Sequence, residues 1–118
     1  MSDATFDLVV IGSGPAGQKG AISAAKQRKR VAIVDKKETV GGVCLHTGTI
    51  PSKTLRETVL NLTGWRERGF YGRAYRVKKE ILAKDLMMRL HMTLDHEVDV
   101  LEHQFARNGV RTITGMAR

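Results

Sequence analysis

Apolar residues fall along this chain in two patterns, short blocks and long stripes. Phe6 to Ile11 and Val31 to Val34 are short blocks rich in β-branched residues, the type that fills a strand buried in a parallel sheet. Between them, Ala16 to Lys29 is rich in Ala and Lys, with Ala21, Ile22, Ala24 and Ala25 on one side. Small alanines there let a helix lie close to a sheet. The pattern predicts strand, helix and strand, the βαβ unit, over residues 1–35. Residues 36–50 lack a period and hold Gly41, Gly42 and Gly48, which predicts a loop. Pro51 suits the first turn of a helix, which Leu55, Val59 and Leu62 extend as one stripe to about Arg66. Gly69 and Gly72 predict a second loop. Residues 79–107 contain no Gly or Pro, and Leu82, Leu86, Leu90, Leu94, Val98, Leu101 and Phe105 recur at spacings of four with one of three. That is a long amphipathic helix, closed by Asn108-Gly109. Val110 to Thr114 predicts a third strand, followed by Gly115. The fold class is α/β.

The turn between the first strand and helix adds chemistry. Gly12-Ser13-Gly14-Pro15-Ala16-Gly17 matches GxGxxG, and the second strand ends in an acid, Asp35, 18 positions past Gly17. A bare GxGxxG is weak; this one follows a strand, opens a helix and precedes a strand with a terminal acid, which predicts a dinucleotide site. Gly12 permits the tight turn, Gly14 lets backbone approach a pyrophosphate, and Gly17 lets helix and strand pack. The helix N-terminus offers free N–H groups to the phosphates. Asp35 would accept hydrogen bonds from ribose hydroxyls and disfavours a 2′-phosphate at this site. A glycine turn that binds nothing is the plainer alternative.

Composition narrows the picture little further. The chain has 118 residues, enough for one domain, with 42% hydrophobic and 27% charged residues, as in an ordinary globular protein. Its net charge is +8; residues 1–59 hold nine basic and five acidic groups and residues 60–118 eleven and seven, so each half carries +4. Charge spread this way reads as a solvated surface. Three Phe, two Tyr and one Trp leave little to stack on bases, and no nucleic-acid module is present, so no nucleic-acid partner is expected. The single cysteine, Cys44, excludes an internal disulfide framework and an all-cysteine zinc site. Met1-Ser2-Asp3-Ala4 lacks the basic region of a signal peptide, and no apolar run could span a bilayer. A cytoplasmic protein with no membrane partner and no metal is expected.

A second motif carries a resemblance. Gly41-Gly42-Val43-Cys44-Leu45-His46-Thr47-Gly48-Thr49-Ile50-Pro51-Ser52-Lys53 resembles the active-site segment GGxCxxxGCxPSK of the flavoprotein disulfide reductases. In that family two cysteines form a redox disulfide beside the FAD isoalloxazine, and the lysine sits where negative charge develops on the flavin. Here Thr49 replaces the second cysteine. Threonine forms neither a disulfide nor a thiolate, so the resemblance implies that the dithiol relay is absent and that electrons leave from the flavin itself. The form GGxCxHxGTIPSK is similar to that of the soluble pyridine nucleotide transhydrogenase branch of the family.

That resemblance implies hydride transfer between NADPH and NAD+ through FAD, with NAD(H) and NADP(H) as substrates of the complete protein. It implies a Rossmann-like FAD-binding βαβ unit with a long helical insertion and an incomplete three-layer sheet. The whole chain, 1–118, would be a partial FAD-binding domain: 1–35 the fingerprint, 41–53 the flavin-facing loop and helix start, 79–107 the long helix and 110–118 the returning strand. Carried over by position, Gly12, Ser13, Gly14, Pro15, Ala16 and Gly17 hold the pyrophosphate. Asp35 stands where the family usually has Glu and holds the adenosine ribose. Lys36, Gly41, Gly42, Val43 and Cys44 line the cleft, and Gly115 and Ala117 return near the adenine. Lys53, Thr49 and Cys44 face the flavin as candidate catalytic residues. The complete protein would be a homodimer or larger homo-oligomer, and this chain alone inactive.

Other readings stand beside these. A dihydrolipoyl-dehydrogenase-like or mercuric-reductase-like flavoprotein without its disulfide is one, and a truncated FAD-binding remnant is another. Cys44, without its redox partner, reads first as a packed small residue, and His46 equally as a polar loop group without a proton to move. His96 and His103 share a helix face, but two histidines do not complete a zinc site. The cluster Arg73, Arg76, Lys78, Lys79 reads as a solvated loop, and the leucine stripe as core or dimer contact.

Overall fold

A computed structural model describes residues 5–118; the N-terminal Met1–Ala4, to which the expectation about a signal peptide refers, lies outside the described residues. The element order is β1 (Leu8–Ile11), α1 (Pro15–Lys26), β2 (Val31–Asp35), α2 (Gly42–His46), α3 (Thr49–Thr63), α4 (Arg68–Tyr71), α5 (Ala83–Arg107) and β3 (Arg111–Thr114). The three strands form one parallel sheet in the order β1-β2-β3. Its register places Ile11, Val34 and Ile113 in one row and Val10, Ile33 and Thr112 in the next.

Side chains of a strand alternate faces, so these two rows point opposite ways. Val10 and Ile33 face the helices: Ala21 of α1 and Phe105 of α5 share one buried cluster with Val31, Ile33, Val40 and Val110. Both helices therefore cover the same side of the sheet. Among the described residues no helix covers the other side, although the small Ala32 in the Val9 row is fully buried. Val9 is 51% exposed and Ile11 75%, which is unusual for a parallel sheet, normally covered on both faces. The parallel sheet with helices expected from the sequence is present, with three strands among the described residues.

The element bounds differ from the hydrophobic pattern in several places; α4, for one, occupies the stretch where Gly69 and Gly72 predict a loop. The region predicted as loop contains α2, too short to show a period. Helix α3 begins two residues before Pro51, which then falls in the first turn where its missing N–H leaves no bond unmade. The same helix stops at Thr63, because Gly64 takes the left-handed conformation at φ 65°. Helix α5 begins at Ala83 rather than Lys79, because Asp85 accepts the Leu82 N–H at 2.8 Å and pairs with Lys78 at 2.7 Å, fixing the start. The stripe on α3 is also shifted by one position. Thr58 is buried and Val59 exposed, and the Thr58 hydroxyl is satisfied by the Thr54 carbonyl at 2.7 Å. On α5, Leu90 and Phe105 are buried, whereas Leu82 is exposed ahead of the first turn.

Candidate functional site

The carboxyl ends of β1 and β2 open into a cleft of about 550 Å³, within the range of ligand sites and at the edge where open α/β sheets bind theirs. Its wall is built by three stretches of chain. The fingerprint contributes Gly12, Ser13, Gly14 and Pro15, the end of β2 contributes Asp35 and Lys36, and α2 contributes Gly42, Val43 and Cys44. Gly115 and Ala117 close it from the end of β3. Ile11, Val34, Lys37 and Met116 also line it; sequence reading did not single them out. A rule was available for the first two, since they are the last apolar residues of adjacent parallel strands.

The start of α1 is suited to an anion. Gly14 caps the helix without a side-chain hydrogen bond, and no acid stands in the first turn. Pro15 has no N–H, so the Ala16 and Gly17 amides are the free donors of that end. A Cβ on Gly14 would meet nothing within 4 Å, so the space beside its backbone is open to a ligand. A Cβ on Gly17 would collide with the Gly12 carbonyl oxygen, which explains why the third fingerprint position is glycine. Ala16 and Gly17 do not themselves line the cleft. They offer it only backbone.

Gly42 joins the second motif to the first. Its φ is 66°, and a Cβ there would lie 2.8 Å from the Gly14 Cα. The backbone of the second motif is therefore in contact with the backbone of the fingerprint, which only glycine permits. Gly41 is buried, and its N–H donates to the Ser13 hydroxyl at 3.0 Å.

Ser13 is fully buried. Its hydroxyl donates to Asp35 Oδ2 at 2.5 Å, and its N–H donates to the same oxygen at 2.8 Å. Asp35 Oδ1 accepts the Lys37 N–H at 3.1 Å. The Ser13 hydroxyl does most to hold the Asp35 carboxyl below its ordinary value, against an opposing push from burial; the Lys37, Ser13 and Lys36 N–H groups add to the lowering. Asp35 is thus an anion at neutral pH, followed by two lysines, Lys36 and Lys37, that also line the cleft.

Cys44 is half-buried on α2 and faces the cleft as a free thiol. His46 does not reach it. The His46 Nε2 lies 2.8 Å from the Val40 carbonyl oxygen, which only accepts, so Nε2 carries the proton and pins the loop. Thr49 and Lys53 are exposed on the first two turns of α3 and do not line the cleft. His91, His96 and His103 are exposed along α5. Among the described residues no three His, Cys, Asp or Glu side chains converge to hold a metal, and no helix is long and apolar enough to cross a membrane.

Comparison with known proteins agrees with this geometry. Residues 6–115 match the family described as Pyridine nucleotide-disulphide oxidoreductase. The chain is 55% identical over 113 residues to the soluble pyridine nucleotide transhydrogenase of Mycobacterium tuberculosis (strain ATCC 25177 / H37Ra), covering 96% of this chain and 24% of that protein. It is 42% identical over 113 residues to the soluble pyridine nucleotide transhydrogenase of Chromohalobacter salexigens, again 96% and 24%. Among solved structures it is similar in fold to the HOCl-induced flavoprotein disulfide reductase RclA from Escherichia coli, with a TM-score of 0.69 and 24% identity over 94% of this chain and 22% of that one. The chain spans about a quarter of the length of the curated relatives it matches. With its fingerprint, its acid-ended second strand and its match over residues 6–115, the chain belongs to the pyridine nucleotide-disulphide oxidoreductase family.

Proposed function

We propose that this chain is the FAD-binding part of an oxidoreductase that transfers hydride between NADPH and NAD+. The observation that carries the reading is Thr49 where a second cysteine would stand, with Cys44 the only sulfur nucleophile in the flavin-facing segment. A chain with one thiol there has no disulfide to reduce, so electrons arriving from one nicotinamide pass on to another. The names of the relatives support the same reading.

The residues present fit FAD. The open space beside Gly14 and the free Ala16 and Gly17 amides suit a pyrophosphate. On this reading Gly12, Ser13, Gly14, Pro15, Ala16 and Gly17 form the pyrophosphate turn, and Asp35 and Lys36 take the adenosine end with Gly115 and Ala117. Gly42, Val43 and Cys44 form the wall toward the flavin, with the buried Gly41 behind them tied to Ser13. FAD, when bound, supplies a centre that accepts and returns a hydride. Thr49 excludes the sulfur chemistry of the reductases, and the Lys53 ammonium favours negative charge on the flavin. Residues 1–118 then make up a partial FAD-binding domain of a cytoplasmic protein that is a homodimer or larger when complete.

The test uses the protein expressed from its own complete gene. It should purify yellow with FAD and carry hydride from NADPH to a spectrally distinct NAD+ analogue. Efficient reduction of lipoamide or glutathione with no exchange between nucleotides would sink the proposal in favour of a disulfide reductase. Bound flavin with no turnover of any kind would favour a binding remnant.

A further inference from the structure

Ser13 and Asp35 line two cavities at once, the nucleotide cleft and a second one of about 330 Å³ on the α5 side. The pair is the partition between them. A carboxylate has about four lone-pair sites. Three are occupied here: Oδ2 receives both donors of Ser13 and Oδ1 receives the Lys37 N–H. One acceptor site, on Oδ1, is left for a ligand. The same Ser13 hydroxyl accepts the Gly41 N–H and so touches the start of the second motif.

We propose that Ser13 is a positioning residue of the nucleotide cleft: it locks Asp35 so that a single oxygen faces the adenosine ribose, and it ties the 41–53 loop to that acid. The inference rests on the reading of the cleft as an FAD site. It has a physical basis in the buried hydroxyl, which is committed in both directions. As a donor it holds the carboxylate; as an acceptor it holds Gly41. Charge-assisted bonds of this kind are the stronger class. A shorter acid such as Asp thereby gains the fixed direction that its missing methylene would otherwise cost. The charged groups around Asp35 are Lys36 and Lys37 beside it, Glu38 in the following loop, and Glu102 from α5 across the second cavity. Of these, only the Lys37 backbone N–H makes a full hydrogen bond to the Asp35 side chain, and the Lys36 N–H adds a weaker pull on the same carboxyl.

The experiment measures FAD affinity and its acid limb in the complete protein for the wild type, Ser13→Ala, Asp35→Asn and the double variant. Ser13→Ala is expected to weaken FAD binding by roughly 10- to 100-fold, as loss of a bond to a charged group does. The double variant should bind no more than about threefold worse than the weaker single variant, because Ser13 acts through Asp35. Asp35 must be ionised to accept from the ribose, so flavin is lost as pH falls through its carboxyl pKa. Removing the hydroxyl that lowers that pKa should move the midpoint of acid release to higher pH. A merely structural role for Ser13 would lower thermal stability without moving that midpoint. Affinity within about threefold of wild type, losses that multiply in the double variant, or an unmoved midpoint would each overturn the proposal. A wild-type protein that takes up no FAD would overturn the flavin reading instead. If Ser13→Ala does not fold, Ser13→Cys, close in size but a weak donor, is expected to show the same pH shift, and a midpoint unchanged in that variant overturns the proposal equally.

Discussion

Gly17 shows how one position ties packing to binding. Its missing side chain lets α1 press against the end of β1, where a Cβ would strike the Gly12 carbonyl and come within 3.2 Å of Val10 Cγ1. Gly17→Ala should therefore destabilise the protein by about 1–3 kcal/mol, the usual cost of overpacking, and displace the fingerprint amides. Chemical denaturation and FAD titration measure the two effects separately; a variant with wild-type stability would show that the helix can shift freely. Which glycines matter was legible from the spacing of GxGxxG. That Ser13 spends both its donors on Asp35 was not, because a serine in a turn carries no pattern and its partner stands 22 positions away. His46 was equally opaque: its carbonyl partner, Val40, belongs to a loop whose path no period predicts.

At the level of elements, the blocks and stripes located β1, α1, β2, α5 and β3, because each is long or apolar enough to show its period. Helix α2, a five-residue turn, showed none, whereas Pro51 correctly marked the first turn of α3, which starts two residues earlier, after Gly48 packs against Val43 and Cys44 of α2. The stripe on α5 has unequal members. Phe105, with 1% exposure, sits where α5, β2 and the chain entering β3 meet, whereas Leu82 is exposed. Phe105→Ala should cost about 3–5 kcal/mol, and Leu82→Ala a small fraction of that. Urea denaturation of the two variants decides the point: equal losses would mean that the core is not centred on the sheet end of α5. Lys53 and Thr49 were named from motif position alone, and their places on exposed turns of α3 put them beyond the cleft wall rather than in it.

The whole molecule is longer than its chain length suggests. Its radius of gyration is 19.4 Å, against about 13–14 Å for a compact chain of this size, and it extends 65 Å along its longest axis. Among the described residues the sheet is covered by helices on one face, and β1 is an edge strand. An open edge beside exposed Val9 and Ile11 is a template for pairing. The 118-residue chain alone should self-associate across the micromolar to millimolar range, and Val9→Lys should weaken this; a sedimentation coefficient independent of concentration would count against it. The strand order has a consequence in time as well. Asp35 and Thr114 are neighbours across β2 and β3 yet stand 79 positions apart. Closing so large a loop is slow unless the helices between have already formed and drawn its ends together. We expect β3 to join last, so that the helical signal of a refolding chain precedes any change in flavin fluorescence; simultaneous signals would refute this order. Gly115 and Ala117 reach the cleft only with that strand, so the chain can be almost wholly helical while the cleft still lacks the wall that they supply.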